Sequence, residues 1–215
     1  TFYTLLLFGV FLNAQNLKSP DNNLDLNFSI DKKGRAFYSL NFHDKPVILN
    51  SGLGFILKDN VEWMKIDTLD MMNNFKVLNV TFDSVDEYWN PVWGEESEIR
   101  NNYNEMFVEL EQKESERKVN IRFRLFDDSL GFRYEFPLQE KLGSFIILDE
   151  KTEFAMAGDH TAMWIPGDYD TQEYNYTTSK LSEIEQKSIE FREENVSMYR
   201  FSNWAVQTAL MMKLE

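Results

Sequence analysis

The polar and apolar positions of this chain alternate two by two over most of its length. Residues 24–30 (LDLNFSI) and 36–42 (AFYSLNF) place every second side chain on an apolar face. That is the period of a half-buried strand. Asp31-Lys-Lys-Gly34 between them reads as a hairpin turn, and His43-Asp-Lys-Pro46 as another. Short strand words follow at 47–49 and 53–57, and alternation returns at 76–82 and 106–111. The clearest hairpin joins residues 119–126 to 131–136 through Asp127-Asp-Ser-Leu130. Val119, Ile121, Phe123 and Leu125 share one face of its first arm, and Phe132, Tyr134 and Phe136 one face of the second. Arg122, Arg124, Arg133 and Glu135 point the other way and can pair across strands.

Two stretches carry helical signals, a short one at 68–74 and a Glu- and Lys-rich one at 179–195. Strand alternation resumes at 199–215, where Val206, Thr208, Leu210 and Met212 fall on one face. The expected fold class is all-β, an antiparallel β-sandwich with few short helices, formed as one domain over residues 16–215. Residues 1–15 are uncharged and mostly apolar. They are too short for a bilayer, which needs about 20 residues. They fit the apolar region of a partial secretory signal cleaved near Ala14, with a buried strand as the plain alternative. The expected location is secreted or periplasmic, in a bacterium.

Composition narrows the chemistry. Among 215 residues, 22 are basic and 36 acidic, a net charge of −14. This argues against nucleic acid and anionic membrane surfaces as partners. There is no cysteine, which excludes disulfides, thiolate catalysis and Cys-ligated zinc. The two histidines, His43 and His160, have no histidine at metal-ligand spacing, so both read as structural.

Two stretches depart from plain strand material. WNPVWGE (89–95) and IRNNYNE (99–105) combine Trp89, Trp93, Pro91, Gly94, Arg100 and several amides. This suits a loop offering aromatic faces and hydrogen-bonding groups to a sugar. Trp89, Trp93, Tyr103 and Trp164 are candidates for stacking on sugar C–H faces, or for filling the core. Arg100, Asn101, Asn104 and Glu95 could bond hydroxyls, or hold an irregular loop together. The second stretch, DYDTQE (168–173), sets three carboxylates beside Pro166 and Gly167. Calcium takes about 6–8 oxygens from such loops. Three carboxylates do not fill that shell, and an acidic turn capping its own backbone is the alternative.

The words WNPVWGE, IRNNYNE, FRLFDDSLGFRYEFP, TEF, DH and DYDTQEYNYTTSKLSEI occur in order over most of residues 80–184. In these the chain resembles the N-terminal domain of glycoside hydrolase family 97, the α-glucosidases and α-galactosidases. The resemblance implies a galactose-mutarotase-like super-sandwich, followed in the family by a catalytic (β/α)8 barrel. It implies a calcium ion beside the substrate, held mostly by the barrel, with one Glu reaching over from this domain. The QEYNY word puts that ligand at Glu173, with Glu183 of KLSEI as runner-up. Both catalytic carboxyls would belong to the barrel, so no catalytic residue is expected here, and the chain alone is expected to be inactive. Its pattern stops in mid-strand at MMKLE, as expected of a piece truncated before the barrel. The expected partners are that barrel and an oligosaccharide. A stand-alone carbohydrate-binding module without catalysis, or a structural sandwich with no ligand, are the alternatives. Where family members usually have Gly, this chain has Ser129, and a positive φ there would cost strain.

Overall fold

The computed structural model of the protein describes residues 12–59, 68–168, 171–190, 202–207 and 210–214. The chain divides into two compact units, Thr1–Ala155 and Met156–Glu215.

In the first unit β1 (Leu12–Lys18), β2 (Leu24–Ile30), β3 (Ala36–Phe42) and β4 (Lys45–Leu53) form an antiparallel sheet in that order. Then come β5 (Phe55–Asp59), β6 (Thr68–Met71), β7 (Phe75–Trp89), β8 (Ile99–Gln112), β9 (Lys118–Leu125), β10 (Leu130–Glu135) and β11 (Phe145–Glu150). Strands β10-β9-β8-β7 make a second antiparallel sheet, and β11-β5-β6 a third. The alternation read from the sequence decides which faces meet. Leu26, Phe28 and Tyr38 of the first sheet are fully buried, as are Met106, Val108 and Phe123 of the second. The ring of Phe123 lies 6.0 Å from that of Phe28 and 6.3 Å from that of Tyr38. These rings join the two sheets face to face as an antiparallel sandwich. Each such side chain contributes about 1.5–3 kcal/mol on burial.

The turns follow local chemistry. His43 (φ 47°) and Asp44 (φ 62°) are the two central residues of the β3–β4 hairpin. Two positive φ values give the turn whose twist matches the strands. Asp31 caps the β2–β3 turn by accepting from the Lys33 and Arg35 N–H groups at 2.8 and 2.9 Å. Gly34 is needed there, because its φ is +71° and an added Cβ would meet the Phe75 backbone at 2.5 Å.

The structure corrects three local readings. Residues 68–74 are not helical: β6 pairs with β5, setting Met71 against Phe55 and Leu69 against Leu57. Asp70 ends the strand by accepting from the Met72 N–H at 2.6 Å and the Asn73 amide at 2.8 Å. Ser129 does not take a positive φ, and its carbonyl accepts from the Phe126 N–H at 2.8 Å. The turn is closed without strain at that position. The alternation at 199–215 is not one strand but two with different partners. Of the expected leader, residues 1–11 lie outside the described residues, and β1 begins at Leu12.

The second unit contains β12 (Thr161–Trp164), β13 (Pro166–Gly167) and β14 (Thr177–Lys180). A 3-10 turn (Leu181–Glu183), α1 (Ile184–Glu190), β15 (Ser202–Val206) and β16 (Met211–Lys213) complete it. Strands β14-β12-β16 form one sheet, and β13 pairs with β15. Residues 191–195 of the expected helical stretch, and Thr208, lie outside the described residues. Trp164 is fully buried, with its indole N–H donating to the Ser179 hydroxyl at 2.9 Å.

Candidate sugar-facing arm and metal ligand

The β7–β8 pair is the longest feature of the first unit. Its 15 and 14 residues pair from Phe75 opposite Gln112 to Trp89 opposite Ile99. At about 3.3 Å per residue, β7 extends roughly 50 Å. Strand β9 covers β8 only over Asn104–Glu111. Beyond Asn104 the pair is a two-stranded ribbon. Cross-strand pairing thus makes IRNNYNE a strand, and the irregular loop is confined to residues 90–98. The Asn90 side chain closes that loop by donating to the Ser97 carbonyl at 2.8 Å.

The aromatic candidates separate cleanly. Trp93 is 89% exposed and Trp89 50% exposed, both at the tip, and Tyr88 beside them is also exposed. Tyr103 is buried, with its ring 5.3 Å from Phe126 and under the Arg124 guanidinium at 4.3 Å. Trp164 is a core residue of the other unit. Trp89 and Trp93 keep the open faces that stacking needs, and Tyr103 and Trp164 do not.

The polar candidates are braced by neighbours. Arg100 grips Asp86 through two bonds, Nε to Oδ1 at 2.7 Å and Nη2 to Oδ2 at 2.8 Å. These hydrogen bonds hold the Asp86 carboxyl below its ordinary pKa. Asn101 donates to Glu87 Oε1 at 2.8 Å. Asn104 donates to the Lys18 carbonyl at 2.8 Å and accepts from the Ser84 hydroxyl at 2.7 Å, so it ties the base of the arm to β1. Arg100 retains further N–H donors and Asn101 its carbonyl oxygen, whereas both ends of Asn104 have structural partners. Glu95 is exposed on the loop.

Sequence reasoning missed Glu105 as a charge centre. It is buried on the outer face of the second sheet, where it accepts from Arg122 and, at 2.8 Å, from Arg124. Arg122 also bonds Glu135 at 2.7 Å and lies over the Phe107 ring at 4.3 Å. The hydrogen bond from Arg122 holds the Glu135 carboxyl below its ordinary range. The available signal was the register: Glu105 must face Arg124 once Met106 faces Phe123.

In the second unit Glu173 is exposed, and its backbone N–H donates to the Thr171 hydroxyl at 3.1 Å. Its carboxylate has no partner among the described residues. The Glu183 carboxylate is engaged, accepting from the Lys180 N–H at 3.2 Å at the start of the helical turn. Asp168 accepts from the Tyr174 hydroxyl at 2.5 Å, and Asp170 lies outside the described residues. Among the described residues no group of three or more His, Asp or Glu side chains could hold a metal ion. Both histidines have structural settings: His160 is buried, and His43 sits in the β3–β4 turn against Phe42.

A face-to-face antiparallel sandwich carrying a long ribbon with an exposed aromatic tip defines an all-β sandwich domain. Residues 17–215 match the Glycosyl-hydrolase 97 N-terminal family, and the chain belongs to it. Over 207 residues it is 26% identical to a retaining alpha-galactosidase of Bacteroides thetaiotaomicron, covering 89% of this chain and 28% of that protein. It superposes with a TM-score of 0.68 and 33% identity on a Glycoside Hydrolase Family 97 enzyme from Pseudoalteromonas sp. strain K8, solved with panose and with acarbose. That match covers 77% of this chain and 24% of the enzyme. A beta-arabinopyranosidase shares the fold at 23% identity, with a TM-score of 0.65. The chain spans about a quarter of the length of these relatives. No helix among the described residues is long and apolar enough to cross a membrane.

Proposed function

We propose that this chain is the N-terminal domain of an exported, exo-acting α-glycosidase, an α-glucosidase rather than an α-galactosidase. The domain packs on a catalytic (β/α)8 barrel, completes the rim of the sugar pocket and lends one ligand to a calcium ion. The observation that carries this reading is the family match over residues 17–215. The glucosidase preference is supported by the 33% identity to an enzyme solved with panose and acarbose, both built on α-linked glucose-type rings, against 26% to the α-galactosidase. The uncharged apolar run at residues 1–15 supports export.

Trp93 and Trp89 offer flat apolar faces to sugar rings, while Arg100 and Asn101 are braced to present donors and acceptors to hydroxyls. Calcium would order the pocket, and Glu173 would give it one of its oxygens. The hydrolytic carboxyls belong to the barrel, and this chain supplies none. A second reading, a stand-alone carbohydrate-binding module, is favoured by the exposure of Trp93.

The test is turnover by the full-length protein on nitrophenyl α-glucoside and α-galactoside. Faster hydrolysis of the glucoside is expected. A galactoside preference overturns the assignment of sugar, and turnover of neither overturns the glycosidase reading. Oligosaccharide affinity of the isolated chain, equal to that of the full-length protein, would establish the module instead.

A further inference from the structure

The outer face of the β1-β2-β3-β4 sheet carries a concave site on the opposite side of that sheet from its core residues. Alternation sends Leu26, Phe28, Tyr38 and Leu40 inward. It sends Asn27, Ser29, Ser39 and Asn41 outward, with Asn27 directly opposite Ser39. The β3–β4 register then slips twice, between Tyr38 and Leu40 and between Leu40 and Asn41. Such irregularities bend a strand away from its neighbour. The result is a groove of about 400 Å³, floored by these four side chains and walled by Pro46 and Leu49 of β4. Small-molecule sites span roughly 300–1,000 Å³.

Three features specify the occupant. None of the side chains lining the groove is charged, and Asp25, set opposite Asn41 at its end, is bonded by the Asn16 and Asn27 amides. The hydroxyls of Ser29 and Ser39 and the amide of Asn41 line it, Ser29 being itself buried. The Asn27 amide is oriented beside them, donating to Asp25 and accepting from Asn16, both at 3.2 Å. Groups that alternate donor and acceptor suit hydroxyls, which do both. Finally, Leu49 is 46% exposed on the wall, an apolar surface for C–H groups. Hydroxyl edges with C–H faces are the chemistry of a neutral sugar.

The geometry points to a neutral-oligosaccharide groove on this outer face, a site additional to the proposed sugar pocket. It holds polymer while the catalytic domain works, and contains no catalytic residue.

The test uses full-length protein in native gels cast with soluble starch or with galactomannan. Wild type is slowed by at least one polymer. Ser39→Tyr, which fills the groove, raises the apparent Kd about tenfold or more and leaves kcat/KM for the nitrophenyl glycosides unchanged. Retardation of Ser39→Tyr equal to wild type overturns the proposal, as does absence of retardation of wild type in both gels. Hydrogen exchange of wild type with maltoheptaose in the cold is read in parallel and decides the matter if Ser39→Tyr does not fold. Protection at residues 24–30 and 36–50 supports the groove, and protection only elsewhere overturns it. Absence of nitrophenyl glycoside turnover by wild type would count against the proposed function alone.

Discussion

Arg100 and Asp86 grip each other diagonally across the β7–β8 ribbon, in a two-point contact of 2.7 and 2.8 Å. Both side chains are about half exposed, so solvent screens the pair and its net contribution to stability is small. Its consequence is orientation, because it fixes a guanidinium one residue from the tip-end pair Trp89–Ile99. Asp86→Asn should therefore leave the urea unfolding midpoint close to that of wild type. Amide exchange over residues 99–103 should nevertheless quicken several-fold as the ribbon loosens. A drop of several kcal/mol in the urea midpoint analysis would show that the ribbon supports the sandwich, contrary to its two-stranded exposure.

Phe123 and Trp93 should behave oppositely. Phe123 is fully buried between Phe28, Tyr38 and Phe132, and Phe123→Ala should cost about 3–5 kcal/mol through lost transfer energy and a cavity. Trp93 stands in solvent, and Trp93→Ala should stay within about 0.5 kcal/mol of wild type. In the full-length protein the proposed glycosidase activity should show the same Trp93→Ala raising KM for an oligosaccharide several-fold more than for a nitrophenyl glycoside. Equal effects on both substrates would remove Trp93 from the sugar surface.

Most of the sandwich was legible because its strands are half-buried, and burial writes a period of two into the sequence. Residues 119–125 show this best: the predicted faces are the observed ones. The misreadings fall where a local word had a distant partner. Residues 68–74 carry no period of their own and become β6 only by pairing with β5. The IRNNYNE word looks like loop material because its polar side chains answer residues some 14 to 20 positions away: Asp86, Glu87 and Ser84. Trp89, Trp93, Tyr103 and Trp164 were alike as residue types, and only the register separates two open faces from two core rings. Glu173 and Glu183 are separated by a single hydrogen bond, from the Lys180 N–H, and with Lys180 rather than Ser or Thr three residues before Glu183 the sequence carries no capping-box word to announce it.

The acid and alkaline limits of stability follow from two kinds of shifted group. Glu135, Asp86, Glu111 and Asp159 have carboxyls held low, by hydrogen bonds from Arg122, Arg100, Lys76 and the Ser182 backbone respectively. Their folded values lie below the unfolded ones, so their stabilisation is complete above about pH 4.5 and is lost as pH falls through the lowered values. Tyr134 is pushed up to about 12 by burial, and Tyr38 is also raised by burial. Their contribution is complete below about pH 10 and lost as pH rises through the folded values. Urea midpoints should therefore be level between these limits and fall on both sides. Glu135→Gln should flatten part of the acid limb, and an acid limb identical to wild type would dismiss the Arg122–Glu135 pair as its source.

Glu173 is the decisive residue for the calcium proposal. Its carboxylate is exposed without a described partner, whereas that of Glu183 accepts from the Lys180 N–H. One carboxylate supplies a small part of a shell of about 6–8 oxygens, so the isolated chain should bind calcium no tighter than about mM. In the full-length protein Glu173→Gln should keep the fold and remove one charged ligand from the shared ion. Calcium affinity, read by competition with a chromophoric chelator, and turnover should then fall together, and excess calcium should restore part of the activity. Glu183→Gln serves as the control. It should cost a fraction of a cap, about 0.5–1 kcal/mol, and leave calcium dependence as in wild type. If Glu183→Gln loses calcium and Glu173→Gln does not, the ligand is Glu183, and its bond to the Lys180 N–H coexists with metal binding. If neither variant changes calcium affinity, this domain contributes no ligand and its role at the pocket rests on the β7–β8 tip alone.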